Sequence, residues 1–131
     1  MSYVLTIEER LSYLHAKVSG PRTAQNARRF LEDVHEAWVQ RNHSAVLLEM
    51  NLAGPSLSIL SVFNIISERA PHALGLKRIA YVDGGSEGDP EMPRFAETVA
   101  RNRGVNVRLF RTLDNAEDWL RDSANELRMA G

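Results

Sequence analysis

Two carboxylates, Glu49 and Asp83, close apolar stretches that read as neighbouring strands, and open α/β sheets place their ligands at such strand ends. Carboxylates so placed could hold a metal or divide the roles of acid and base. A metal would ask for histidine or further carboxylates nearby, and His15, His35, His43 and His72 show no ligand spacing. The pattern favours a plainer role, in which Glu49 and Asp83 hydrogen-bond loop backbone or cap a helix. The stretch Gly84-Gly85-Ser86-Glu87-Gly88-Asp89 follows a strand and precedes a helix, which is the right setting for phosphate. It matches neither G-x-G-x-x-G nor G-x-x-x-x-G-K-S/T, and Glu87, Asp89 and Glu91 would repel phosphate. A mobile surface loop is the better expectation. No G-x-S-x-G elbow presents a serine nucleophile. The sequence therefore predicts no catalytic residue, no metal and no cofactor.

A different feature stands out. From Met50 to Ser67 run 18 residues without a charge, in a chain that is 25% charged. Leu57, Ile59, Leu60, Val62, Phe63, Ile65 and Ile66 would cover most of a helix made from its second half, with Ser58, Ser61, Asn64 and Ser67 as a narrow polar seam. A helix facing water usually carries charge on its wet side. Small hydroxyls and an amide instead permit close approach by another backbone, and a large apolar face beside them marks a contact site. The alternative is a central helix shielded by its own neighbours. The segment is unsuited to spanning a membrane, because Asn51, Gly54, Pro55, four serines and Asn64 interrupt it.

The elements that would hold these residues can be read from periodicity. Tyr3 to Ile7 reads as a strand and Ser12 to Ser19 as a second, joined by a hairpin over Glu8 to Leu11. In the second strand Leu14, Ala16 and Val18 take the buried side, and Tyr13, His15 and Lys17 the wetter one. Thr23 caps a helix with the stripe Ala27, Phe30, Leu31, Val34, Ala37 and Trp38, and Asn42 and His43 end it. Ala45 to Met50 is a strand covered on both faces. Asn51 to Pro55 is then a loop, and Pro55 suits the first turn of a helix that runs to about Arg69, with Pro71 beyond its end. Lys77 to Asp83 is another buried strand. Pro90 or Pro93 opens a helix with the stripe Met92, Phe95, Ala96, Val99 and Ala100, stopped by Gly104. Val105, Val107 and Leu109 mark a last strand. Asp114, with Glu117 as a capping box, opens a last helix whose stripe is Ala116, Trp119, Leu120, Ala124 and Leu127, and Met129 to Gly131 would fray. The order β-β-α-β-α-β-α-β-α implies an α/β domain with a mostly parallel five-stranded mixed sheet, its leading strand antiparallel, flanked by four helices.

Composition narrows the function. At 131 residues the chain fits one domain, and a formal charge of −1 argues against nucleic acid as a partner. The basic pairs Arg28-Arg29, Lys77-Arg78 and Arg101 with Arg103 lie among acids. The absence of cysteine suits a reducing, cytoplasmic setting, and MSYVLTIEER lacks the pattern of a secretory signal.

The succession "YLHAKVSGPRTAQNARRFLEDV", "AVLLEMNLAG", "GLKRIAYV", "FAETVARNRGVNVRLFRTLDNAEDWL" resembles the SpoIIAA-like group, relatives of the STAS domain (sulfate transporter and anti-sigma factor antagonist). The resemblance covers roughly Tyr13 to Leu120, and its strongest part is the ending around Asn102-Arg103-Gly104-Val105. It implies the same β-β-α-β-α-β-α-β-α fold. It also implies a bacterial-type regulatory surface, in which an acid ends a strand (here Glu49), a loop comes next (Asn51 to Pro55), and a serine starts the next helix (Ser58, or Ser56 if the loop is shorter). In regulatory STAS domains a partner kinase phosphorylates that serine and breaks binding. An acid directly precedes that serine in most of them, whereas Leu57 precedes Ser58 here and Pro55 precedes Ser56. SpoIIAA-like members also resemble the fold of lipid-carrying CRAL-TRIO domains.

Two functions are thus expected to compete. The first is a non-enzymatic module that docks a protein partner or a second copy, as a homodimer, through Asn51, Leu57, Ser61, Phe63, Asn64 and Ile65. The second is a carrier of a small hydrophobic ligand or lipid in a pocket lined by the same helix.

Overall fold

The computed structural model describes residues 3–85 and 88–130, with side chains of the last helix described as far as Asp122. Strands β1 (Val4–Glu9), β2 (Leu14–Pro21), β3 (Ala45–Ala53), β4 (Arg78–Asp83) and β5 (Val107–Phe110) form one sheet in the order β1-β2-β3-β4-β5. β1 pairs antiparallel with β2, and every other pair is parallel. Helices α1 (Ala24–Gln40), α2 (Ile59–Ala73) and α3 (Glu91–Asn102) are the three crossovers, and α4 (Leu113–Ala130) comes after the last strand.

That order dictates where the helices lie. Each crossover from β2 onward steps one strand in the same direction, and each is right-handed by the usual chirality of twisted strands. All three helices must then fall on one face. There Leu14, Ala16, Val18, Val46, Ile79 and Val107 meet Phe30, Val34, Ile65 and Ala70 in the larger core. The other face is left to α4, whose Ala116 and Leu120 close over Tyr13, Ala45, Leu47, Ala80 and Val82. Tyr13 is therefore buried, contrary to its expected place on a wetter side.

Local chemistry sets the ends. The Thr23 hydroxyl accepts the Asn26 N–H and caps α1 as expected. Asn42, at φ 57°, takes the left-handed conformation that terminates α1. β3 is longer than its apolar run suggests, because Asn51, Leu52 and Ala53 continue the ladder opposite Ser19, Gly20 and Pro21. Pairing with a long neighbour outweighs the polar asparagine, and the expected Asn51 to Pro55 loop begins only at Gly54. Ser58 caps α2, so Pro55 lies before the helix and not in its first turn. α2 also runs through Pro71, which removes only one backbone bond in a final turn that has little left to lose. The last helix is capped by Thr112, whose hydroxyl accepts the Asn115 N–H at 3.2 Å, so the cap stands two residues before the expected Asp114. Ala124, Leu127 and the terminal Met129 to Gly131, expected in or after that helix, have side chains outside the described residues. Among the described residues, no helix is long and apolar enough to cross a membrane.

Leu47 is fully buried under α4, where a cavity has little means of collapse. Leu47→Ala is expected to cost about 2–5 kcal/mol, read as a lower midpoint with unchanged slope in urea denaturation. His35 packs edge-on against Trp38 and His72 across the α1–α2 contact. Burial, then the Arg69 charge, then His72 hold its pKa below the ordinary value of 6.5. The unfolded chain binds that proton more readily, so stability is complete above the unfolded pKa and falls as pH drops through about 6.5. His35→Gln should flatten the dependence of Tm on pH over that interval.

Candidate functional site

The carboxyl ends of β2, β3 and β4 and the loops that leave them are stitched together. The Arg22 guanidinium donates to the Gly54 carbonyl and, at 3.0 Å, to that of Leu52. The Ser56 hydroxyl accepts the Asp89 N–H at 2.6 Å, and the Gly84 N–H donates to the Met50 carbonyl at 2.9 Å. A Cβ on Gly85 would collide with the Leu52 carbonyl and the Arg22 guanidinium. Glycine is needed there for close approach of backbones. The expected mobile phosphate-free loop is thus anchored at Gly84 and Gly85, while Ser86 and Glu87 lie outside the described residues.

Glu49 and Asp83 do not meet. The register pairs Glu49 with Val82 and Met50 with Asp83, so alternation turns the two carboxylates to opposite faces of the sheet. Glu49 faces the α4 side, where it meets His15 Nε2 at 2.9 Å, the Asn51 side-chain amide at 3.3 Å and Lys17 at 4.0 Å. Asp83 accepts the Tyr81 hydroxyl and the Gly85 N–H, each at 2.9 Å. Asp83 thus accepts from loop backbone, whereas Glu49 meets side chains. No group of three histidine or acidic residues that could hold a metal occurs among the described residues.

The uncharged segment divides between core and water. Ile65 is only 3% exposed, packed over the sheet, and Leu57 is half-buried against the same cluster. Asn51 stands in β3 and joins Glu49 on the face opposite α2. These three are therefore not on an outward face of α2, because the helix turns Ile65 inward and the longer strand removes Asn51. Phe63 and Asn64 are exposed and Ser61 is half-buried. Beside them lie Ile59 and Leu60, exposed at 62% and 68%. Periodicity could not separate these two from the inward residues, since nearly every position of the segment is apolar. The Arg103 guanidinium lies 4.8 Å from the centroid of Phe63, a contribution from the residue just after α3 that nothing in the local sequence signals.

Ser58 stands in the open at the start of this patch. Its hydroxyl accepts the Ser61 N–H at 3.1 Å and donates to the Ser61 hydroxyl at 3.0 Å. Ser56 is half-buried and already engaged with Asp89. Farther down the helix the seam differs again, as the buried Ser67 hydroxyl has no hydrogen-bond partner among the described residues.

No family model matches the sequence, and no curated protein matches it. Solved structures do. An anti-sigma factor antagonist from Mycobacterium paratuberculosis superposes with a TM-score of 0.64 at 18% identity, over 92% of this chain and 95% of that one. An uncharacterized protein with a SpoIIAA-like fold from Shewanella loihica PV-4 superposes with a TM-score of 0.54 at 20% identity, over 90% of this chain and 93% of that one. The chain has the SpoIIAA-like fold. In this fold the exposed start of α2 comes directly after the central strand β3, on loops held by Arg22 and Ser56.

Two serines on one helix should respond oppositely to the same change. Ser58→Ala loses the cap and is expected to cost about 1 kcal/mol. Ser67→Ala removes a buried hydroxyl without a partner and is expected to be neutral or stabilising. Chemical denaturation of both variants checks the contrast.

Proposed function

We propose that this chain is a non-enzymatic regulatory module that docks another protein through the first turns of α2, most simply a second copy of itself, with Ser58 as a switch. The observation that carries this reading is the exposure of Ile59, Leu60 and Phe63 in a segment without charge. Full burial of a side chain of this size is worth at most about 1.5–3 kcal/mol, so three adjacent ones are a substantial docking energy. The structural likeness to an anti-sigma factor antagonist supports a role in protein–protein regulation.

The chemistry of Ser58 supports the switch. A phosphate there would add about −1.5 to −2 charge. The dipole of α2 favours negative charge at that end, so the helix would tolerate it. The neighbouring Ile59 and Leu60 could then no longer be covered without stripping water from a dianion. Ser56 is the poorer site, because its hydroxyl holds the Asp89 N–H and a phosphate there would meet the Asp89 carboxylate.

Aspartate is itself a good N-cap, so Ser58→Asp mimics the charge without undoing the helix. Sedimentation equilibrium should show a wild-type dimer, with Ser58→Asp and Leu60→Glu both monomeric and unchanged in circular dichroism. A wild-type monomer at the highest soluble concentration would sink the second copy as occupant. A dimer indifferent to both substitutions would sink the surface.

A further inference from the structure

Beneath α2, between it and the sheet, lies a half-open cavity of about 960 Å³ with further walls from α1 and α3. Its volume is at the upper end of the range for small-molecule sites, about 300–1,000 Å³. The sheet shows its effect. On the helix-covered face Val46 is 0% exposed, yet Leu48 and Met50, farther along the same central strand, are only half-buried. Leu109 on β5 is likewise half-buried. Side chains under a helix layer are normally closed off, whereas these three pack against the core and also line the cavity. On α3 the wall includes the small Ala96 and Ala100, set among Met92, Arg94 and Glu97.

The polar groups of the wall distinguish one kind of occupant. Asp83, Asp89 and Glu97 each accept a backbone N–H already, from Gly85 at 2.9 Å, Glu91 at 2.9 Å and Leu109 at 2.6 Å. Arg69 is different. It lines the cavity half-buried and makes no hydrogen bond or ion pair among the described residues. A half-buried guanidinium with five donors and no acceptor is costly unless an anion meets it.

We infer that this cavity binds a long apolar chain ending in an anionic group, of the kind a long-chain fatty acid presents, with Arg69 meeting the head group. The apolar walls of Leu48, Ile66, Ala96 and Leu109 would take the chain. The site is independent of the docking surface, since the exposed Ile59 and Leu60 do not line it.

The test is titration of the full chain, stripped of bound lipid, with the fluorescent fatty acid cis-parinaric acid, and then displacement with palmitate and with hexadecanol. Saturable binding is expected, and palmitate should compete at least about tenfold better than hexadecanol. Arg69→Gln should abolish that preference while leaving displacement by hexadecanol unchanged. Ala96→Trp, with its fold checked by circular dichroism, should weaken binding at least about tenfold by filling the chain site. Absence of saturable binding to the wild-type protein would overturn the inference. So would equal competition by acid and alcohol, or an Ala96→Trp variant that folds and binds as the wild type does.

Discussion

The handedness of the strand–helix–strand connection is the constraint on which this structure depends. With strands in simple sequential order, three right-handed crossovers all deliver their helices to one face of the sheet. That face becomes crowded, and α2, the middle crossover, packs between α1 and α3. Among the described residues, the opposite face is covered by the helix after β5. α4 supplies Ala116, Leu120 and the Trp119 ring, over which the Arg78 guanidinium sits 4.7 Å from the centroid. Toward the carboxyl ends of β2 and β3 that face turns polar, with His15, Lys17 and Asn51 all meeting Glu49. The polarity of that corner is a consequence of topology.

The same arrangement shapes the candidate site. Parallel strands bring the loops after β2, β3 and β4 to one edge, where their carbonyl groups need donors. Arg22 supplies them to Leu52 and Gly54, the Ser56 hydroxyl takes the Asp89 N–H, and Gly84 and Gly85 let the chains come close enough. α2 therefore starts from a braced platform. Its first turns leave Ile59 and Leu60 exposed, while its later turns put Ile65 and Ala70 in the core over the sheet. One helix thus has an outward apolar beginning and an inward apolar middle. Small residues on α3 leave space beneath it.

Much of this was legible from residue patterns. Alternation and 3.6-residue spacing give the element order, and Thr23, Asn42 and Gly104 mark real boundaries for reasons internal to each residue. The boundaries that moved were those decided by a partner strand or a competing cap. β3 lengthened because β2 was there to pair with Asn51 to Ala53, and Thr112 displaced Asp114 because its hydroxyl reached the third helical N–H. The first effect is not local in the chain, and the second is a contest between two caps two residues apart.

The candidate site divides along the same line. That residues 50–67 carry no charge is a property of the sequence, as are the presence of a serine at a helix start and the carboxylates near strand ends. Which apolar side chains of that segment face water is not. Ile59 and Ile65 are chemically identical, and only the packing of α2 on the sheet makes one 62% exposed and the other 3%. Likewise only strand register sends Glu49 and Asp83 to opposite faces, since a two-residue period fixes each side chain relative to its own strand and says nothing of its neighbour. Composition and periodicity determined the elements and their order. Tertiary structure decided which side chains meet, because contact depends on pairing and packing between segments far apart in the chain.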